Sequence, residues 1–207
     1  AQLAGFALLM KARADDRRLF TATDDAGNLQ PPKLNVLSLQ ESKGLSVDEL
    51  ATHLAPFKVQ RTTITALVET FEHAKTFGSL IQIPYALKTH LAVLPKMLDK
   101  VRQSGDMYAS AAADDLLPLV QQARVLAMQF DAVVANPPYM NNGYFLPLHK
   151  EFVENQYGAG KADLYGCFIL RSQLFCSDNG TFGMITIPNW MFLAGFEKLR
   201  NGLICES

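Results

Sequence analysis

The feature that most restricts this chain is a strand-like run that stops abruptly. Phe130, Asp131, Ala132, Val133, Val134 and Ala135 are followed at once by Asn136, Pro137, Pro138 and Tyr139. Proline fixes its φ angle and has no N–H to give, so neither Pro137 nor Pro138 can extend a strand ladder. The run therefore predicts a strand that breaks into a rigid loop. Further on, Leu164, Phe168, Ile169 and Leu174 form a helical stripe, Asp178, Asn179 and Gly180 a turn, and residues 181–187 a second buried strand. Strand, helix and strand in that order imply parallel strands joined by a right-handed crossover, hence an α/β fold.

In open α/β sheets ligands sit beyond the carboxyl ends of the strands, and the tetrad Asn136, Pro137, Pro138, Tyr139 falls at such an end. Its two stiff residues make it a presenter of acceptors: Asn136 Oδ1 and the Pro137 carbonyl can both accept from one NH2 group, and Tyr139 offers a flat face to a planar ring. A conjugated amine, such as adenine N6 or a carboxamide, is a poor nucleophile because its lone pair is delocalised. Two acceptors pulling on its hydrogens favour a pyramidal nitrogen whose lone pair can meet an electrophilic methyl group. Fixing that line of attack is worth on the order of several kcal/mol. The plainer reading is a turn after a strand, since Asn-Pro and Pro-Pro are ordinary loop formers.

Upstream, Leu3, Phe6, Ala7 and Met10 predict a helix over residues 1–18 that ends in the charged run containing Lys11, Arg13, Arg17 and Arg18. Residues 21–32 read as a loop, and Leu34, Val36, Leu37 and Leu39 as a buried strand of about six residues. Ser46 and Glu49 make a capping box, and Ile64, Leu67, Val68, Phe71 and Ala74 carry a helical period that stops near Gly78. Pro95 opens another helix; Asp114 is expected to cap one more, with Pro118 in its first turn. The chain thus divides into residues 1–40, a helical block at 41–129, and an α/β segment at 130–207.

Composition narrows the function. With 207 residues, 49% of them apolar and 13 of them Phe, the chain is a globular protein, and no apolar stretch is long enough to span a bilayer. Three cysteines, an odd number, speak against a secreted disulfide framework and for a reducing cytoplasm. A formal net charge of −1 argues against bulk electrostatic binding of nucleic acid. Both ends look cut, so the chain reads as a fragment of a larger protein.

The seven residues from Val133 to Tyr139 resemble motif IV of the class I S-adenosylmethionine-dependent amino-methyltransferases: an aliphatic pair, a variable residue, Asn or Asp, Pro, Pro and an aromatic. Lys161, Ala162, Asp163, Leu164 and Tyr165, with Phe168 and Ile169, resemble the motif V helix of the N6-adenine DNA methyltransferases. Gly183, Met184, Ile185, Thr186, Ile187 and Pro188, then Trp190, resemble their next strand. The first helix and the block around Thr76, Phe77, Gly78, Ser79 and Leu80 look most like the large adenine methylases of the BREX/Pgl phage-defence type, with type IIG restriction-modification enzymes as near relatives.

The resemblance implies a partial Rossmann-like methyltransferase sheet, interrupted between its third and fourth strands by a helical insertion. It also implies a base-flipping enzyme that takes its methyl group from S-adenosylmethionine and acts on adenine in double-stranded DNA, with other defence or restriction subunits as partners. Asn136 and Pro137 would grip N6 and Tyr139 would stack on the ring. Asp163 and Leu164 would shape the cofactor side, although an Asp before a helix also serves simply as its N-cap. The glycine-rich cofactor loop and the ribose-binding acid do not occur here and are expected before Ala1, and the target-recognition domain after Ser207. The fragment alone is therefore expected to be inactive, and its near-neutral charge is accounted for if the DNA-gripping surface lies elsewhere. Two other readings stay open: a protein-glutamine or RNA amino-methyltransferase, which would meet the same NH2 group, and a non-catalytic binding or scaffold module.

No His pair among His53, His73, His90 and His149 has metal-ligand spacing, and Cys167 and Cys176 read as buried thiols. Trp190 and Phe192 fit a pocket wall or a core equally well.

Overall fold

A computed structural model describes residues 2–30, 32 and 34–205. Parts of the first-helix and loop expectations, at Ala1 and Pro31, lie outside the described residues, as do Lys33, Glu206 and Ser207. Helix α1 (Gln2–Asp15) forms, but its apolar side chains face outward, with Leu3 86% exposed and Phe6 65%. In the following loop the Asp24 carboxylate accepts from the amides of Ala26 and Asn28, closing a turn bridged by Thr23 and Leu29. These bonds, those from Asn28 first, hold its pKa below the ordinary carboxyl value.

The strand expected at residues 34–39 does not form. Leu34 and Leu37 are exposed, and no strand edge adjoins the segment among the described residues. A side chain takes the partner's place: the buried Gln122 carboxamide accepts from Gln40 N and donates to Gln40 O, both at 2.8 Å.

Six helices follow: α2 (Val47–Leu54), α3 (Arg61–Thr70), α4 (Ala74–Phe77), α5 (Tyr85–Lys88), α6 (Leu94–Arg102) and α7 (Met107–Leu126). Ser46 Oγ caps α2 by accepting from Glu49 N, the expected half of the capping box, and Pro95 lies in the first turn of α6. The expected start of α7 is corrected. Asp106 caps it, accepting from Tyr108 N and Ala109 N at 3.0 Å. Asp114 instead pairs with Arg102 from within the helix, and Pro118 lies in its interior. The apolar stripe of small residues Ala109, Ala112 and Ala113 lets the helix begin two turns earlier than the Leu and Val pattern indicates. Leu54, Ile64, Leu67, Leu98, Leu116 and Val120, all without solvent exposure, form the largest core. At roughly 1.5–3 kcal/mol for each fully buried aliphatic side chain, this cluster is a main source of the fold's stability.

Strand β1 (Phe130–Ala135) occurs where expected, followed by α8 (Pro147–Tyr157), α9 (Leu164–Phe175), β2 (Cys176–Met184) and α10 (Glu197–Cys205). The two strands are parallel, with Ala132 opposite Thr181 and Ala135 opposite Met184. The chain is thus a mixed α/β protein with a two-stranded parallel sheet.

Three details of β2 differ from the sequence reading. The strand starts at Cys176 and ends at Met184, rather than spanning 181–187. Residues 178–180 form an irregularity inside it, where Gly180 packs so closely on the Phe130 carbonyl that a Cβ would lie 2.7 Å from that oxygen. As expected, Gly183 lies in the strand, paired with Val134. The strand is also not buried: Phe182 is 39% exposed and, across the sheet, Val134 is 87% exposed.

Candidate active site

The tetrad leaves β1 at its carboxyl end. Pro137 is buried and anchors the bend, while Asn136 and Pro138 are exposed and Tyr139 is about half exposed. The Tyr139 hydroxyl lies 3.0 Å from the carbonyl of Ile185, the residue after β2, and 3.3 Å from Asn136 Oδ1. Its ring therefore spans the ends of both strands. Asn136 is exposed, and its Oδ1 accepts from the Tyr139 hydroxyl and from no main-chain group of the described residues.

Asp163 and Leu164 come to the tetrad by way of the next residue. Met140 N donates to Asp163 Oδ1 at 2.9 Å, and Leu164 N donates to the Met140 carbonyl at 2.9 Å. The same carboxylate oxygen caps α9 by accepting from Tyr165 N. A short antiparallel bridge between Asn141 and Asp163 completes the attachment. The carboxylate is thus engaged by two amides, and it is the loop leaving the tetrad that Asp163 holds.

Below Tyr139 an aromatic file runs inward. Tyr165 meets Tyr139 edge-on at 5.9 Å between centroids and stacks on Phe196 at 5.4 Å. Beside it is a cavity of about 250 Å³, walled by Asn141, Asp163, Tyr165, Ile187, Asn189 and Phe196. Asn136 and Pro137 are not part of that wall. The Tyr165 hydroxyl is buried with no hydrogen-bond partner, and burial, then the Asp163 charge, raises its pKa.

Of Trp190 and Phe192, the first takes the core role and the second is on the surface, outside the wall of that cavity. Trp190 packs in the small core of Tyr165, Ile169, Phe196 and Leu199, with its Nε1 donating to Thr186 Oγ1 at 3.2 Å. Phe192 is 76% exposed. Their loop is held by Arg200, whose Nη1 donates to the carbonyls of Trp190 (2.8 Å) and Leu193 (2.7 Å).

Several residues that fix this region were not legible beforehand. Arg171 on α9 is 5% exposed and donates to the carbonyls of Ser79 and Ile81 (each 2.8 Å) and Leu126 (2.9 Å), joining α9 to the helical block. Burial pulls its pKa below the usual guanidinium range. The buried Tyr157 hydroxyl donates to the Leu80 carbonyl, at the same junction. Cys167 is fully buried, with its thiol pushed up to about 12 by burial and then by the Asp163 charge, so it is a packing group and not a nucleophile. Cys176 is half-buried at the start of β2, not inside a helix. Among the described residues no three His, Cys, Asp or Glu side chains are grouped to hold a metal ion, and no helix is long and apolar enough to cross a membrane.

The tetrad thus stands at the carboxyl end of a strand and is held to the next helix through Asp163. The chain belongs to the Eco57I restriction-modification methylase family, whose model matches residues 2–206. It is 37% identical, over 99% of its length, to the adenine-specific methyltransferase BrxX of Escherichia coli O9:H4 (strain HS). It is 29% identical, over 96% of its length, to the adenine-specific methyltransferase PglX of Lacticaseibacillus casei (strain Zhang). The chain spans 18% and 16% of the lengths of these two relatives. Membership of a methylase family implies a methyl donor.

Proposed function

We propose that this chain carries the amine-binding half of the active site of a DNA adenine-N6 methyltransferase serving restriction-modification or phage defence. The observation that carries the reading is the Asn136 carboxamide. It stands exposed at the carboxyl end of β1, its oxygen approached by the Tyr139 hydroxyl and by no main-chain group of the described residues. Asn136 Oδ1 and the Pro137 carbonyl accept the two N6 hydrogens of an adenine turned out of the duplex, and the Tyr139 ring stacks on it. The bend is stiff, so the acceptors need no reorganisation as the nitrogen becomes pyramidal. The adenine-specific relatives favour this reading over a glutamine or RNA amine.

The methyl donor on this reading is S-adenosylmethionine, which supplies an electrophilic methyl group. The residues present do not fit that group as they fit the amine. Asp163 has its carboxylate engaged by Met140 and Tyr165, so Asp163 and Leu164 shape the pocket from behind the tetrad. Double-stranded DNA is the proposed partner, other defence or restriction subunits are further ones, and the cytoplasm is the proposed compartment. The sheet is read as part of a Rossmann-like one, with residues 41–129 inserted between its third and fourth strands.

The test uses the complete protein that contains this segment. Labelled methyl transfer to adenine in duplex DNA is expected, and Asn136→Ala is expected to lower it by about 10²–10³-fold, as removal of a transition-state hydrogen-bond partner does. Equal transfer by the variant would remove Asn136 from the mechanism.

A further inference from the structure

At the other end of β1 is a group of cations with no counter-charge. A cavity of about 430 Å³ is walled by Gln82, Lys88, Leu126, Gln129, Arg171 and Leu174 together with Ile83, Ala127 and Met128. A second cavity, of about 250 Å³, shares Lys88, Ala127 and Met128 with it and adds Arg124. No Asp or Glu is part of either wall. None of Lys88, Arg124 and Arg171 forms an ion pair among the described residues.

The donor count of Arg171 shows what is left over. A guanidinium has five N–H donors. Nε gives one to Ser79 and Nη2 gives two, to Ile81 and Leu126, so both Nη1 hydrogens are without a protein acceptor among the described residues. The junction between α9 and the helical block thus accounts for three donors of this nearly buried cation and for nothing at Lys88 or Arg124. Among the described residues the Arg171 cation is also stacked over the Phe175 ring, 3.8 Å from its centroid, and the carboxyl end of α7, where Leu126 is the last residue, adds a partial negative charge. A helix end contributes about half a negative charge, against three full positive ones.

From this imbalance we infer that the paired cavities form a binding site for a small phosphate-class oxyanion. The two unused Nη1 hydrogens are charge-assisted donors that suit an oxyanion acceptor. Three cations suit a multiply charged ion better than a single carboxylate, which would balance one of them. The 430 Å³ volume lies within the roughly 300–1,000 Å³ of small-molecule sites. Gln129 immediately precedes β1, whereas the tetrad follows it. Six residues at about 3.3 Å each separate the two by about 20 Å, so this site is distinct from the methyl-transfer site.

The experiment is titration of the complete protein with inorganic phosphate against sodium chloride at matched ionic strength, read by calorimetry. Saturable binding of phosphate is expected, weakened about tenfold in Lys88→Met and again in Arg124→Met, and unchanged in Lys43→Met. Both informative side chains are exposed, so their loss leaves the fold intact. Phosphate no better than chloride, or wild-type affinity in both variants, would overturn the site. So would loss of duplex-DNA affinity in Lys88→Met with phosphate affinity unchanged, which would assign the cluster to nucleic acid. None of these outcomes depends on methyl transfer, whose absence would count against the proposed function alone.

Discussion

The Tyr139 hydroxyl stands between two oxygens, 3.0 Å from the Ile185 carbonyl and 3.3 Å from Asn136 Oδ1. It has one hydrogen to give, and the shorter contact takes it. With that hydrogen on Ile185, turning the Asn136 carboxamide over lets Nδ2 donate to the Tyr139 oxygen and leaves Oδ1 wholly for an incoming amine. Tyr139 then does two things, stacking and setting the amide. Tyr139→Phe keeps the ring and is expected to lower turnover by about tenfold with little change in KM. Tyr139→Ala, which loses both, is expected to lower it by about 10²-fold or more. Steady-state methyl transfer by the complete protein separates the two; equal losses would mean that the hydroxyl carries everything.

Asp163 is argued to hold the loop that leaves the tetrad, and this is separable from contact with a methyl donor. Asp163→Ala removes an N-cap and the Met140 bond together, at an expected cost of about 2 kcal/mol measured by urea denaturation. Affinity for S-adenosylhomocysteine is expected to stay within about twofold of wild type, a tolerance equivalent to about 0.4 kcal/mol. A large fall in that affinity would return Asp163 to the cofactor.

Gly160 and Gly166 face each other so closely that a Cβ on Gly160 would lie 2.6 Å from the Gly166 carbonyl carbon and oxygen. Main chain on both sides cannot swing away as a side chain does. Gly160→Ala is expected to destabilise by about 2–4 kcal/mol, since overpacking against backbone forces the helix start to move. Gly158, two residues earlier, has nothing within 4 Å of its Cβ position and has helical φ and ψ. Gly158→Ala is therefore expected to be neutral or slightly stabilising. Thermal or denaturant melts of the pair test the contrast, and similar losses would refute it.

What the sequence disclosed and what it hid follow from the range of the interactions. β1 and its break were legible because Pro137 and Pro138 act on their own backbone, and α9 because Asp163 caps it locally. The strand expected at Leu34–Leu39 carried the right pattern, but a strand also needs a neighbour. Here residue 40 is tied by Gln122, 82 residues away. α8 went unread because its buried side is narrow, Val153 and Tyr157 alone among its fully buried residues. Arg171 gave no signal at all: an arginine in an apolar helix shows its purpose only once the Ser79, Ile81 and Leu126 carbonyls converge on it from the helical block. The tetrad's place at a strand end was readable, whereas the junction beneath it was built from long-range contacts.

That junction also sets how the protein responds to alkali. Burial raises the Tyr157 hydroxyl from 10.0 to about 12, with the Arg171 cation opposing the rise, and raises the Cys167 thiol from 9.0 to about 12. In both cases the folded state holds its proton more tightly than the unfolded one. Below about pH 8 both states are almost fully protonated and neither group makes stability depend on pH. Between about pH 8 and 12 the unfolded chain releases these protons, the thiol first, while the folded one keeps them, so stability falls as pH rises. By pH 12 the two losses are on the order of 4 kcal/mol for Cys167 and on the order of 2 kcal/mol for Tyr157. Denaturation midpoints between pH 8 and 12 are therefore expected to fall steeply, and less steeply in Cys167→Ala and Tyr157→Phe. Each variant starts from a lower midpoint because it loses packing or the Leu80 bond, so the slope and not the offset is diagnostic. Parallel slopes in wild type and both variants would mean that these two groups titrate alike in the folded and unfolded chains.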